Sequence, residues 1–370
     1  MPISKPVFSA FFSALLLSAC ARPQQPPLLF GPPLRPADVV AQNIPSVAPL
    51  PDFSEIPAPP DNPVTQGKVE LGFRLWFEPR LSANNRMTCA TCHHHMRGFS
   101  NAEPNAAGVS GQRGRRNVPT IYGALFQKES FWDGRAKNLE AQALGPVTDP
   151  VEMNESLPNV LRQLSEVPYY QHKFQEVFGT PPTADGMAKA LASFERALLM
   201  APTPFERYQQ GEPQALSPEQ VRGMNLFFSP RARCSECHQG PAFSDQLFHN
   251  LGVGLDQPNP DLGRFEVTRM PWDRGAFKTP TLLNIAKTAP YMHDGSLASL
   301  QEVIAFYNRG GEPNPQQDPR LRPLNLTAQE QTDLLAFLQS LSAPDNLRAM
   351  GRLPGIRLPQ AELEQLLAGR

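Results

Sequence analysis

A charge excess of either sign is missing from this chain: 34 lysines and arginines face 35 aspartates and glutamates, for a net charge of −1. Without a basic surplus, neither nucleic acid nor an anionic membrane surface is expected as its main partner. Apolar runs long enough to cross a bilayer are also missing, because the one marked stretch, Val7 to Leu17, is too short. Strand-like alternation is scarce. Helical spacing recurs instead at Leu157 to Phe178, Met187 to Met200, Leu300 to Tyr307 and Ala328 to Leu341. The expected fold class is therefore all-α. Cysteine is sparse as well, five residues in 370, so the placement of those five carries most of the information.

Four of them fall in two C-x-x-C-H motifs, Cys89-Ala-Thr-Cys92-His93 and Cys234-Ser-Glu-Cys237-His238, the form that attaches a c-type haem covalently. Two thiols one helical turn apart add to the vinyl groups of one porphyrin, and the following histidine turns its imidazole under the iron. A zinc site or a redox dithiol also uses C-x-x-C pairs. Against that alternative, both pairs carry histidine at the haem position, and 145 residues separate His93 from His238. Two covalently bound haem c groups are expected, with His93 and His238 as iron ligands.

The fifth cysteine bears on location. Lys5, the Val7 to Leu17 stretch and Leu17-Ser18-Ala19-Cys20 read as a bacterial lipoprotein signal. Cleavage before Cys20 and acylation of its thiol would anchor the mature protein by lipid. The alternative is an ordinary signal peptide in which Cys20 is incidental. Either way the compartment is extracytoplasmic, here the periplasm, in keeping with c-type haem. Ala21 after the cysteine favours the outer membrane over the inner. With all five cysteines assigned, none is left for a structural disulfide. Thirteen of the 42 prolines lie between Pro23 and Pro63, so residues 20–62 read as an extended tether after a signal peptide at 1–19. Two haem domains are expected at 63–205 and 206–345, followed by a tail at 346–370. An internal repeat supports that division, since Val69 to Phe77 precedes the first haem motif much as Val221 to Phe228 precedes the second.

From Val64 to Leu341 the chain resembles the bacterial di-haem cytochrome c peroxidases, including the MauG-like enzymes that oxidise a protein substrate. The resemblance rests on Arg116-Asn-Val-Pro-Thr120, Phe131-Trp-Asp-Gly-Arg-Ala136, Gln142-Ala-Leu-Gly-Pro146, Val151-Glu-Met-Asn154, Gly263-Arg-Phe-Glu266 and Thr288-Ala-Pro-Tyr-Met-His-Asp-Gly295. It implies that the N-terminal haem is the peroxide site and that the C-terminal haem takes in electrons. Splitting a peroxide O–O bond needs a group that takes a proton from one oxygen and returns it to the other. Glu152 matches that acid–base residue, Gln142 its polar partner, and Pro146 the proline packed over the same face. Trp132 matches the tryptophan between the haems that relays electrons. Asn117, with the carbonyls of Thr288 and Pro290, matches a calcium site between them. Without the resemblance, Glu152 and Gln142 would read as solvated surface groups and Trp132 as a core indole.

Two departures matter. Members that cap the peroxide-site iron do so with a histidine in the loop before the R-N-x-P-T motif. The loop here, Ala107 to Asn117, has no histidine, and the matching position is Val109. His94 and His95 adjoin the proximal ligand and are discounted as caps. An axial methionine of the second iron is replaced by Tyr307, fourteen residues after His293, as in the MauG-like branch; a phenolate stabilises ferric iron relative to methionine. Met270 and Met292 are the alternatives, because Tyr307 also lies on the apolar stripe of its helix. His293 reads as a contact to a haem propionate or as a core hydrogen bond. His172 and His249 read as surface or structural residues, and Trp272 has no motif.

Three functions follow as alternatives. One is a peroxidase that reduces hydrogen peroxide with electrons from a small periplasmic cytochrome c or cupredoxin. Another is a MauG-like oxidase of a partner protein, and the last is a di-haem electron carrier. The resemblance also allows a homodimer.

Overall fold

Most of the long helices begin where the sequence supplies a side-chain cap. In the computed structural model, which describes residues 56–343, the Thr65 hydroxyl takes the Lys68 amide at the start of α1 (Gln66–Trp76). Asn138 takes the Ala141 amide at the start of α3 (Leu139–Thr148), Thr183 that of Gly186 at α6 (Ala184–Ala197), and Ser299 that of Glu302 at α10 (Leu300–Asn308). Thr203, Ser217 and Thr327 form reciprocal capping boxes at α7 (Pro204–Gln209), α8 (Pro218–Phe227) and α11 (Ala328–Ser340). Each such cap satisfies amides that the first helical turn cannot. The remaining helices are α2 (Cys89–Cys92), α4 (Leu157–Ser165), α5 (Pro168–Phe178) and α9 (Phe265–Thr268).

Two departures from the sequence reading appear. The Leu157 to Phe178 pattern is two helices, because Pro168 has no amide hydrogen to continue α4 and starts α5 instead. The fold is mostly helical but not wholly so: β1 (Phe248–Asn250) pairs antiparallel with β2 (Ala276–Lys278), Phe248 opposite Lys278. These strands are three residues long and bring together parts of the chain 28 positions apart, which leaves no local periodicity to read.

Two helix pairs organise the core. α1 packs on α6, and α8 on α11. Each contact is made at a glycine: a Cβ on Gly72 would sit 2.0 Å from the Ala190 carbonyl oxygen, and one on Gly223 1.9 Å from that of Asp333. No other residue fits either crossing. Phe73, Trp76 and Phe194 fill the first pair, and Phe205, Phe227, Phe243 and Phe337 surround the second. Bidentate ion pairs tie α6 to α3, Arg196 with Glu140, and α8 to α11, Arg222 with Asp333. All described residues fall within one compact unit, and the expected boundary at 205/206 lies inside α7. The signal peptide, Cys20, most of the tether and the tail lie outside the described residues.

Candidate haem sites

The two C-x-x-C-H motifs build matching structures. Cys89 and Cys92 are set one turn apart by α2, and Cys234 and Cys237 by a 3-10 turn over Cys234–Glu236. In each, the histidine Nδ1 donates to a phenylalanine carbonyl, His93 to Phe99 at 3.0 Å and His238 to Phe243 at 2.9 Å. Both phenylalanines have left-handed backbone, φ 56° and 50°, a rare conformation for a bulky residue. A carbonyl can only accept, so the proton sits on Nδ1 and Nε2 keeps its lone pair for a metal. Burial holds both imidazoles below their usual pKa and therefore neutral.

The thiols fit thioether formation better than a zinc or dithiol site. Burial pushes the Cys92 thiol up to about 11 and Cys234 to about 12, whereas zinc ligands and redox dithiols need thiolates. Among the described residues no group of metal-ligating side chains draws on both cysteine pairs.

The match extends well past the motifs. Thr120 donates to the Gly98 carbonyl at 2.6 Å as Thr281 does to Ala242 at 2.7 Å, and Ser100 to Val118 as Ser244 does to Thr279. Beyond Arg116 the two stretches run in register, 161 positions apart. Pro119 corresponds to Pro280, Trp132 to His293, Gly134 (φ 70°) to Gly295 (φ 68°), the cap Asn138 to the cap Ser299, and Pro146 to Tyr307. The Ser130 amide bonds the Ala136 carbonyl at 2.8 Å, and its counterpart Tyr291 bonds Leu297 at 2.7 Å. The sequence carried this signal in Val-Pro-Thr against Thr-Pro-Thr and in Trp-Asp-Gly against His-Asp-Gly.

Around the first motif, Gln142 and Pro146 lie on α3 and Glu152 in the turn that follows. Pro146 has no amide hydrogen, so the Gln142 carbonyl loses its helical partner. The Glu152 carboxyl lies within electrostatic reach of Cys89 and Cys92. Burial, with Asp149 adding and Arg135 opposing, raises its pKa above the usual carboxylate range. Neither its carboxylate nor the Gln142 amide is hydrogen-bonded to any described residue. The histidine-free loop packs directly on this turn: the Val109 amide donates to the Glu152 carbonyl at 2.8 Å, and a Cβ on Gly108 would meet the Val151 carbonyl at 1.8 Å. His94 and His95 stack on one another at 4.7 Å.

Around the second motif lies a cavity of about 270 Å³, lined by Cys234, Cys237, His238 and Tyr307 with a largely apolar remainder. The Tyr307 hydroxyl has no hydrogen-bond partner among the described residues, and burial raises its pKa. Met292 also lines the cavity, while Met270 lies outside the lining and is 45% exposed. Asn117, Thr288 and Pro290 also line it, and the Asn117 side-chain nitrogen donates to the carbonyls of Glu103 and Pro104.

Trp132 stands where the two sets of elements meet. Its indole N–H donates to the Asn117 carbonyl at 2.9 Å, and its own carbonyl takes the Lys278 amide at 2.8 Å. The His293 ring meets the indole edge to face at 6.5 Å and stacks on Phe277 at 3.5 Å. Burial lowers the His293 pKa to about 4, and its ring makes no hydrogen bond among the described residues. Arg116 clamps the same region, bonded to Asp133 at 2.6 Å and to both oxygens of Asp261.

Of the remaining histidines, His249 is buried between Asp245 at 2.9 Å and Asp318 at 2.8 Å and lines the second cavity, and His172 is on the surface. Trp272 is 69% exposed. Three residues escaped the sequence reading. Trp76 packs its ring 5.6 Å from His93. Glu195 is a carboxyl buried beside Cys89, and Lys278 is a buried ammonium. Each is buried by distant parts of the chain, which spacing along the sequence does not reveal.

The family profile described as di-haem cytochrome c peroxidase matches residues 66–214. The chain is 38% identical to the methylamine utilization protein MauG of Methylorubrum extorquens, over 81% of this chain and 85% of that protein. It is 33% identical to the cytochrome c551 peroxidase of Pseudomonas aeruginosa, over 90% and 92%. The chain belongs to the di-haem cytochrome c peroxidase family. A crystal structure of a MauG-like protein associated with microbial copper homeostasis superposes with a TM-score of 0.74 at 32% identity, covering 81% of this chain and 95% of the other. Membership of this family makes the protein an oxidoreductase with two c-type haems, and the paired cysteines and the Nε2 lone pairs of His93 and His238 fit those groups.

Proposed function

We propose that the protein is a peroxidase that reduces hydrogen peroxide to water with electrons from a small periplasmic cytochrome c or cupredoxin. The haems supply the redox chemistry, peroxide at the His93 site and electron entry at the His238 site. Glu152 takes a proton from one peroxide oxygen and returns it to the other, which leaves as water. Its raised pKa suits both steps, since a carboxyl that is too acidic could not give the proton back. Gln142 orients the peroxide by hydrogen bonding, and Pro146 keeps side-chain ligands away from that face. Trp132 relays electrons between the sites, and Asn117 with the carbonyls of Thr288 and Pro290 would hold a calcium ion, supplying oxygen donors.

The observation that supports peroxide chemistry at the His93 site, common to this reading and the next, is the pairing of Pro146 with Tyr307: the equivalent helix position offers no ligand at the first site. A free carboxyl beside the open site argues against a pure electron carrier. A second reading, MauG-like oxidation of a partner protein, draws on Tyr307 as iron ligand and on Val109 in place of a capping histidine. The proposed setting is a lipid anchor at Cys20 in the periplasm, with two haem domains carried on the proline-rich tether.

Steady-state turnover with reduced cytochrome c and peroxide tests the choice. Rapid turnover from the fully ferric protein supports the peroxidase. Slow turnover with a long-lived oxidised state overturns it in favour of the MauG-like reading.

A further inference from the structure

Lys278, the last residue of β2, is the counterpart of Asn117 in the internal repeat. It is only 9% exposed, and it is one of the residues that line the cavity of the second site. Its ammonium has no hydrogen bond and no ion pair among the described residues. Glu129, the acid that acts on it electrostatically, is bonded to Arg264 at 3.1 Å. The other cations of the lining are committed or solvated: Arg320 is held by Asp318, Arg233 by Glu236, and Arg322 is exposed. Leaving an ammonium buried without a counter-charge is costly, and such groups are retained where a ligand supplies the missing charge. Burial, opposed by Glu129, lowers its pKa to about 8.

We propose that Lys278 is a carboxylate-binding site: its ammonium pairs with a propionate of the haem attached at Cys234 and Cys237, and this pair helps set that haem's reduction potential. The inference rests on the haem assignment and not on the choice between peroxidase and MauG-like function. A propionate is the anion that fits, because the attached porphyrin brings two carboxylates into the cavity that Lys278 lines. A fixed positive charge near the ring favours the reduced iron, which carries one positive charge fewer. The effect is expected at the second haem, because the cavity that Lys278 lines is the one that holds Cys234, Cys237 and His238.

Potentiometric titration of the holoprotein tests this, with each haem followed through its own absorption bands, in the wild type, Lys278→Gln and Lys278→Arg. Haem content is checked by mass and by the pyridine haemochrome spectrum. The expected result is a lower potential for the His238 haem in Lys278→Gln, restored by Lys278→Arg, with the His93 haem unmoved. Loss of the second haem from Lys278→Gln but not from Lys278→Arg would equally support anchoring. An unchanged potential in Lys278→Gln, an equal shift at both haems, or the same haem loss in both variants would overturn it. Because potentials are read without peroxide, failure here is separable from failure of the peroxidase reading.

Discussion

Pro146 and Tyr307 hold the same place in two equivalent helices: each is the eighth residue after a capping side chain, Asn138 in one case and Ser299 in the other. The Thr120–Gly98 and Thr281–Ala242 bonds tie the two registered stretches to their haem motifs in the same way, so on the proposed reading the residue at this position decides whether the ligand face of a site is open. Replacing Pro146 by methionine should close the first site. In electron paramagnetic resonance spectra of the ferric protein, we expect one high-spin and one low-spin haem for the wild type and two low-spin haems for Pro146→Met. Two low-spin haems in the wild type would refute an open first site.

Glu152 is half-buried with a raised pKa, and its role requires the deprotonated form in the resting enzyme. Turnover should therefore rise with pH through a value above the usual carboxylate range. Glu152→Gln should lower kcat by roughly 10²–10⁴-fold and abolish that rise, with haem content unchanged. A steady-state pH profile of both proteins checks this.

Arg116 neutralises Asp133 and Asp261, whose side chains are 5% and 9% exposed. Arg116→Ala strands the buried Asp261 carboxylate and leaves Asp133 with Arg135 as its one cation, which should cost about 3–5 kcal/mol. Lysine cannot reproduce the fork to Asp261 and should recover only part of the loss. Urea unfolding of the three proteins measures the difference.

Burial pushes the Glu195 carboxyl from an ordinary 4.5 up to about 8. Between those values the unfolded chain has released a proton that the native state retains, so stability falls as pH rises, by at most about 1.4 kcal/mol per pH unit. Glu195→Gln removes the titration. Relative to wild type it should gain stability at pH 8 compared with pH 5, as read from urea midpoints at the two values.

Much of this was legible in the chain. The C-x-x-C-H motifs announced both haem sites because thioether attachment demands that spacing whatever surrounds it, and α6, α10 and α11 formed close to where the apolar stripes predicted. The division of Leu157 to Phe178 was written in Pro168 and overlooked. The β1–β2 pair could not be read, because its three-residue strands owe their existence to distant partners. The same holds for Lys278 and Glu195, whose letters are those of surface residues until the rest of the chain encloses them. The 161-residue register was present in the sequence, but two dissimilar residues at its most informative position, Pro146 and Tyr307, concealed it.

Trp132 has a further consequence. Its N–H holds the segment leading into Pro119 beside His93, and its carbonyl holds the end of β2 leading into Pro280 beside His238. The residue proposed to conduct between the two centres is thus also the strut that spaces them. Tunnelling falls exponentially with separation, so a substitution that loosened the strut would detune the circuit even where the replacement ring could still carry charge.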